Sequence, residues 1–382
     1  MSPVPLDNVV QHYAWGSRTV IPTLVGATSP ADEPWAELWM GAHAGGPSRL
    51  PDGRTLRDIE PDLPFLLKVL AADAPLSLQA HPSLSQARAG YAAEEAAGVP
   101  LDAPTRRYRD TNHKPELMCA LTPVDALCGF RRPDATRRLV EGLGVSELSQ
   151  LTEPLLAGDE SEGLRHAFTA LMTLPPDRSA RLVQDVDAAA RHVLGRPDIP
   201  ASWRAPLQWM LALAKAYPGD VGVVTSLMLH ILSLSPGEAV FLPAGNLHAY
   251  LAGAGVEIMA SSDNVLRGGL TPKHVDVAEL LSVLKFSAEP PPVVLPSPES
   301  AGVWLYRTPT PDFALRRVDV EHGVVVVHDA VGPRIVLCVS GSLYAGATAL
   351  PRGASAYLSS DEVLELRGRG TAYVASPGIQ PP

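Results

Sequence analysis

The period of apolar and polar positions changes twice along this chain. Up to about residue 130 the apolar residues fall in short strand-like runs. Turn residues separate these runs at Gly26-Ala27-Thr28-Ser29-Pro30 and at Gly45-Gly46-Pro47-Ser48. One stretch with helical spacing, Ser83 to Ala97, interrupts them. From Arg132 to about Tyr217 the spacing is helical throughout and rich in Ala, Leu and Arg, with breaks at Pro175-Pro176, Pro197 and Pro200. Strand character returns at Val221-Gly222-Val223-Val224 and in Leu227 to Leu234. It then passes a turn at Ser235-Pro236-Gly237 and continues in Glu238 to Leu242. Glu289-Pro290-Pro291-Pro292 reads as a stiff linker. Beyond it a second strand-rich region runs from about 302 to 378, with Gly323 to Val327 and Arg334 to Gly341 as its clearest strands.

Short strands joined by tight turns, with the helices collected in one block, predict a mainly β chain with a helical insertion. The division expected is a discontinuous jelly roll from residues 1–131 and 220–288, a helical domain at 132–219, and a second jelly roll at 300–382. A chain of 382 residues is long enough for two or three such units.

Composition narrows the function. Hydrophobic residues make up 46% and charged residues 19%, yet no uninterrupted apolar stretch approaches the roughly 18 residues of a membrane span. The opening Met1 to Asp7 lacks a basic segment followed by an apolar one, so a cytoplasmic location is expected. Cys119, Cys128 and Cys338 are odd in number and lack C-x-x-C spacing, which predicts buried reduced thiols. A net charge of −10 without a basic stripe excludes a nucleic-acid backbone as partner. An anionic small molecule would instead need a local positive pocket. Only five of the 31 basic residues are lysines, and two of these, Lys114 and Lys273, fall inside polar clusters. A compact ammonium and a planar guanidinium serve phosphate and proton chemistry differently.

Three polar clusters sit inside apolar runs. In Leu76-Ser77-Leu78-Gln79-Ala80-His81-Pro82, Gln79 and His81 alternate with apolar neighbours and so share a face if the stretch is extended. In Asn112-His113-Lys114-Pro115-Glu116-Leu117, Lys114 and Glu116 share one side and His113 takes the other. The run Pro243 to Tyr250 brings His248, with Tyr250 two residues on and on the same side. Two imidazoles, a carboxylate and an amide oxygen suit zinc or a similar divalent ion. Glu257, in Gly255-Val256-Glu257-Ile258-Met259, is a carboxylate in an apolar strand, which must pair with a cation or face a site.

These strings also carry a resemblance. Gln79-Ala80-His81-Pro82, Asn112 to Leu117, Ala260 to Lys273, the opening Tyr13-Ala14-Trp15-Gly16-Ser17 and the segment Ala36 to His43 resemble the type I mannose-6-phosphate isomerases. The resemblance runs with gaps from about residue 8 to 286, and is one of pattern only in roughly 132–220 and 300–382.

It implies cupin-like jelly rolls and one zinc per chain on Gln79, His81, Glu116 and His248. It also implies a catalytic role for Arg267, phosphate binding by Ser77 and Lys273, and a pocket-lining place for Trp15. The activity implied is a zinc-dependent aldose–ketose isomerase acting on a sugar phosphate through a cis-enediol, in a monomeric protein. Arg267 would offset charge on the enediol oxygens, and Asp263 is expected to orient it. Lys114, Glu257 and Tyr250 all stand as candidates for the proton-transferring base. The competing expectation is a non-catalytic module that binds a metal and a sugar, which has no use for Lys114 or Arg267 in the same pocket.

Overall fold

Two antiparallel sheets carry the architecture, and the long strand His248–Ala260 organises the first of them. The computed structural model describes residues 3–156, 158–289, 291–328, 332–360 and 362–378. Met1 and Ser2, Pro290 of the expected linker, and residues 379–382 of the C-terminal region lie outside the described residues.

The C-terminal half of His248–Ala260 pairs with Phe65–Ala72 on one side and Glu116–Ala120 on the other. That layer continues through Glu37–Met40 to Val9–Gln11, and through Ala239–Leu242 to Val293–Val294. The N-terminal half departs from it. His248, Ala249 and Tyr250 pair with Cys128, Leu127 and Ala126, and His248 also stands opposite Gln79.

The crossing falls at a register shift between Tyr250 and Ala252, followed by Gly253 at φ 104°. A Cβ at Gly253 would lie 2.2 Å from the carbonyl oxygen of Pro123, so only glycine fits there. One strand therefore supplies His248 and Tyr250 to one layer and Glu257 to the layer facing it.

Side-chain alternation sets four levels in order. Leu67, Val69, Leu117, Cys119, Val256 and Ile258 point away from the inter-layer space into a core shared with Tyr306, Phe313, Leu315, Ile335, Leu337 and Tyr373 of the second sheet. Their neighbours Leu70, Met118, Ala120 and Val240 point inward and meet Val124, Ala126, Cys128 and Tyr250 of the opposite layer. On the far side of that layer, Leu78, Ala80, Leu127, Ala249 and Leu266 pack on the helices. The order is second sheet, first layer, second layer, helices, and the chemistry lies between the two middle ones.

Helices Pro133–Leu143, Ser146–Leu151, Glu160–Met172, Pro176–Leu194 and Ala201–Ala216 occupy the stretch with helical spacing. The earlier helix is Leu84–Ala96, capped by Ser83, whose hydroxyl accepts from the Gln86 N–H while the Gln86 side chain accepts from the Ser83 N–H.

Several local expectations differ. Gly222–Thr225 is a helical turn rather than a strand, and the strand begins at Leu229. Val223, Val224, Leu227 and Met228 are all buried among the helices, and a short apolar run buried on every side has no period that separates strand from turn. Two short helices, Val20–Val25 and Leu56–Ile59, lie in the region read as strands. Val293–Val294, directly after the expected linker, adds a strand to the first sheet, and the Pro292 carbonyl accepts from Phe241 N–H.

The strand Val4–Leu6 joins the second sheet beside Ser355–Leu358, so the first residues cross to the C-terminal part of the molecule. Within the second sheet, Arg334–Ala345 and Leu364–Ser376 curl around a core of Val318, Val336, Leu343, Leu366 and Val374. The three cysteines are buried free thiols. No helix among the described residues is long and apolar enough to cross a membrane.

Candidate metal centre and active site

Glu116 opens its strand with its side chain in the space between the two layers, where His81 and His248 arrive from the opposite side. His81 Nε2 lies 3.4 Å from Glu116 Oε1, and His248 Nε2 lies 3.4 Å from Glu116 Oε2. All three residues are buried, and their ligand atoms fall within 4.8 Å of one another. Each imidazole is oriented from behind. His81 Nδ1 lies 2.7 Å from the Asn264 carbonyl oxygen, and His248 Nδ1 lies 3.1 Å from that of Asn246. A proton on each Nδ1 leaves the Nε2 lone pair aimed at Glu116.

Those two Nε2 atoms and Glu116 Oε2 are buried without a hydrogen-bond partner, a costly arrangement for three polar atoms unless something sits among them. The donor set and its orphaned atoms fit a divalent ion such as zinc. Burial and the nearby Lys114 ammonium hold the His81 imidazole at a pKa of about 4 against the pull of Glu116, so it is neutral and ready to ligate near pH 7. Burial opposes ionisation of Glu116, but the adjacent Lys114 ammonium overcomes it and holds the carboxyl well below its usual range.

Gln79 enters through its backbone register. It stands opposite both His248 and Arg267, and its neighbours Leu78 and Ala80 point to the helical side, so its own side chain faces the inter-layer space with His81.

Lys114 follows the same logic from the other wall. Its Nζ lies 3.0 Å from Glu116 Oε1, while His113 turns the other way and meets Asp312 at 2.9 Å. Asn264 ties these segments together. Its side chain donates to the carbonyl oxygens of Asp110 and Asn112 and accepts from Arg109 N–H, so the residue whose backbone carbonyl orients His81 also fixes, through its side chain, the start of the Lys114 segment.

Beside the metal set runs a buried row of charge. Glu257 and Lys68 are cross-strand partners 3.2 Å apart at their charged ends. Tyr250 donates its phenol hydrogen to Glu257 at 2.9 Å. Lys68 also reaches Glu37 at 3.5 Å and lies over the Trp39 ring, whose N–H donates to Glu37 at 2.8 Å. Burial works against the Lys68 ammonium, but Glu37, Glu257 and Glu116 together raise its pKa above the ordinary value. Burial, with Glu257 and Glu116 nearby, drives the Tyr250 phenol well above its usual range, so it remains a donor.

Lys68 and Glu37 are absent from the residues singled out by sequence. The available signal was Lys68 as the lone charge in Phe65-Leu66-Leu67-Lys68-Val69-Leu70-Ala71-Ala72, in a chain with few lysines.

A cationic rim completes the site. Arg267 donates to the Ser77 hydroxyl at 3.0 Å. Lys273 is shifted down mainly by Arg267 and further by burial and Arg109, and Arg267 by burial and Arg109. With Arg267 and Arg109 both pressing on Lys273, the rim crowds positive charge at a position where an anion would relieve the repulsion. Asp263, expected to orient Arg267, pairs instead with His43 at 3.3 Å, because its loop is drawn down onto Asp110, which accepts from the Asp263 N–H. Trp15 packs against the cluster between the layers and stacks on Tyr13 with ring centroids 5.7 Å apart.

Comparison with known proteins gives this arrangement its family. Residues 4–133 match the model of the phosphomannose isomerase type I catalytic domain. The chain is 36% identical to the mannose-6-phosphate isomerase of Escherichia coli over 96% of its length and 97% of that protein's, and 33% identical to the human enzyme over 95% of each. Among solved structures, the apo form of mannose 6-phosphate isomerase from Salmonella typhimurium superposes with a TM-score of 0.88 at 33% identity, covering 99% of this chain and all of that one. A mannose 6-phosphate isomerase bound with zinc and yttrium superposes equally well, with a TM-score of 0.88. Similarity of this extent, together with the His81, Glu116 and His248 cluster, means that the chain belongs to the type I mannose-6-phosphate isomerase family.

Proposed function

We propose that this protein interconverts mannose 6-phosphate and fructose 6-phosphate, with one zinc per chain held by Gln79, His81, Glu116 and His248. The observation that carries the reading is the convergence of three orphaned buried ligand atoms beside Lys114 and facing a rim of Arg267, Ser77 and Lys273. A relative bound with zinc supports the choice of metal. When bound, zinc would supply Lewis-acid polarisation of the sugar oxygens.

The chain's own groups account for the remaining steps. The open-chain sugar loses its C2 proton, passes through a cis-enediol and regains a proton at C1. Of the three groups named as base, the arrangement favours Lys114. Tyr250 is bonded to Glu257 and Glu257 to Lys68, so both are held within the buried row, whereas Lys114 Nζ is bonded directly to Glu116 of the ligand set. Lys114 would move the proton at Nζ, with Glu116 fixing the ammonium between transfers.

Ser77 and Lys273 would anchor the phosphate. Arg267, bonded to Ser77, would reach from that anchor towards the enediol oxygens. The Tyr250, Glu257, Lys68 and Glu37 row would act as a rigid floor.

Both sheets are read as jelly rolls, with the helices between 133 and 216 as an insertion in the first. A coupled assay for fructose 6-phosphate formation, run before and after chelation and again with zinc restored, tests the activity. Zinc-loaded protein that leaves mannose 6-phosphate unchanged would overturn the reading.

A further inference from the structure

His113 and Lys114 are consecutive residues with opposite allegiances. Lys114 points between the layers to Glu116, and His113 points out to Asp312, which belongs to a loop of the second sheet. The segment that carries them has no strand partner. It is tied at one end by Asn112, whose carbonyl accepts from the Asn264 side chain at 2.8 Å, and at the other by Pro115, whose carbonyl accepts from Ala260 N–H at 3.1 Å. Between these ties the His113 backbone N–H bonds, among the described residues, its neighbour alone, the Asn112 side chain at 3.0 Å. The orientation of the intervening peptides therefore depends on the two side chains that leave in opposite directions.

Asp312 is itself well held. The Thr310 hydroxyl donates to its carboxylate, and the next residue, Phe313, is fully buried in the core shared by the two sheets. Burial raises the Asp312 carboxyl, but the bonds from the His113 ring Nε2 and the Thr310 hydroxyl outweigh it and hold the group below its usual range, so it is an anion facing the His113 ring.

We propose that Asp312 is a positioning residue for Lys114, acting through His113: the second sheet clamps the outward side chain and so holds the inward one at the metal set. The inference rests on the proposed isomerase reaction, in which Lys114 carries the proton. It gives the C-terminal sheet a part in turnover without placing any of its groups on the substrate. A group that sets the geometry of a proton carrier is expected to change kcat and leave substrate binding nearly alone.

The test is a kinetic cycle on the zinc-loaded full chain with Asp312→Ala, Asp312→Asn, His113→Ala and the double variant Asp312→Ala/His113→Ala. Asp312→Ala should lower kcat by about tenfold, within the range that a small misplacement costs, with KM for mannose 6-phosphate changed less than about twofold. Asp312→Asn, which still offers an oxygen to His113, should recover most of that loss. The double variant should be no slower than His113→Ala, because Asp312 has no other route to Lys114.

Zinc content and thermal midpoint are read on every variant. Wild-type kcat in Asp312→Ala, an equal further loss in the His113→Ala background, or a loss that follows zinc content or melting would each overturn the clamp. A wild-type protein without isomerase activity would overturn the proposed reaction itself, which separates the two failures.

Discussion

Glu257 and Lys68 face each other on adjacent strands, both almost wholly buried, with their charged ends 3.2 Å apart. Neither charge could remain in that interior alone. Lys68 is answered by Glu37 as well, and Glu257 by the phenol of Tyr250, so each group has a second partner. Removing one member of such a set leaves the others uncompensated, which costs far more than the set contributes relative to an apolar replacement.

Lys68→Met should therefore destabilise the protein by about 3 to 5 kcal/mol, since two buried carboxylates lose their cation. Urea denaturation of the variant and the wild type measures it. A loss under about 1 kcal/mol, the scale of an exposed pair, would mean that water reaches the row.

The metal assignment gives a second outcome. His248→Ala removes one imidazole and leaves His81 and Glu116 unable to close the set. Elemental analysis should show about one zinc per wild-type chain and little in the variant, with activity lost in parallel. Full zinc content in an active variant would reject the ligand set.

Acid should weaken the metal-free protein through the same residues. The folded-state pKa of His81 is depressed to about 4 from an ordinary 6.5, chiefly by burial, so its neutral form favours folding above pH 6.5. That contribution is lost as pH falls from 6.5 towards 4, because the unfolded chain takes up the proton first. Glu116, also depressed, adds a loss of the same sign at lower pH. The urea midpoint of chelator-treated protein should fall across this window, and His81→Gln should flatten the dependence. An unchanged slope in that variant would assign the acid sensitivity elsewhere.

Arg267 and Lys273 should separate kinetically. Arg267→Ala is expected to lower kcat more than it raises KM, because in the proposed reaction it would act on charge that appears only during turnover. Lys273→Ala, at the exposed end of the rim, should mainly raise KM. The Arg267–Ser77 bond adds a detail: Ser77→Ala should carry a part of the Arg267 loss in kcat. Reversed signatures for Arg267 and Lys273 would exchange their roles.

What the sequence could reveal here follows from range. Gln79 with His81, and Lys114 with Glu116, could be placed on common faces because extended chain alternates over two residues whatever the tertiary context. The helix from Ser83 was legible from its helical spacing, which is set within the segment itself. The Lys68, Glu257 and Glu37 row needs the strand order, in which Phe65–Ala72 lies between Glu37–Met40 and His248–Ala260, and no local pattern encodes that order. Asp263 was assigned to Arg267 because the two are near in sequence. The fold turns Asp263 to His43 instead, and gives Arg267 to Ser77. Val4–Leu6 joins the far sheet for a similar reason: its partner strand begins at Ser355.

The last prediction concerns the second sheet as a whole. Tyr306, Phe313, Leu315, Ile335, Leu337 and Tyr373 form one side of a core whose other side is Leu67, Val69, Leu117, Cys119, Val256 and Ile258, directly behind Lys68, Glu116 and Glu257. Truncation after Pro292 would leave those six residues on a sheet face covered only in part, by Ile21, Leu24 and Leu56 of the two short helices. It would also remove Ser355–Leu358, the partner of Val4–Leu6, and the bond between Cys119 and the Tyr373 hydroxyl. An apolar sheet face laid open in this way favours association over folding, so the fragment should aggregate. Expression followed by light scattering and a thermal melt of the soluble fraction measures this. A soluble, zinc-loaded fragment melting at the temperature of the full chain would show that the first sheet needs no cover. A stable fragment with zinc but a lowered kcat would instead isolate the part that Asp312 plays from the part played by the buried face.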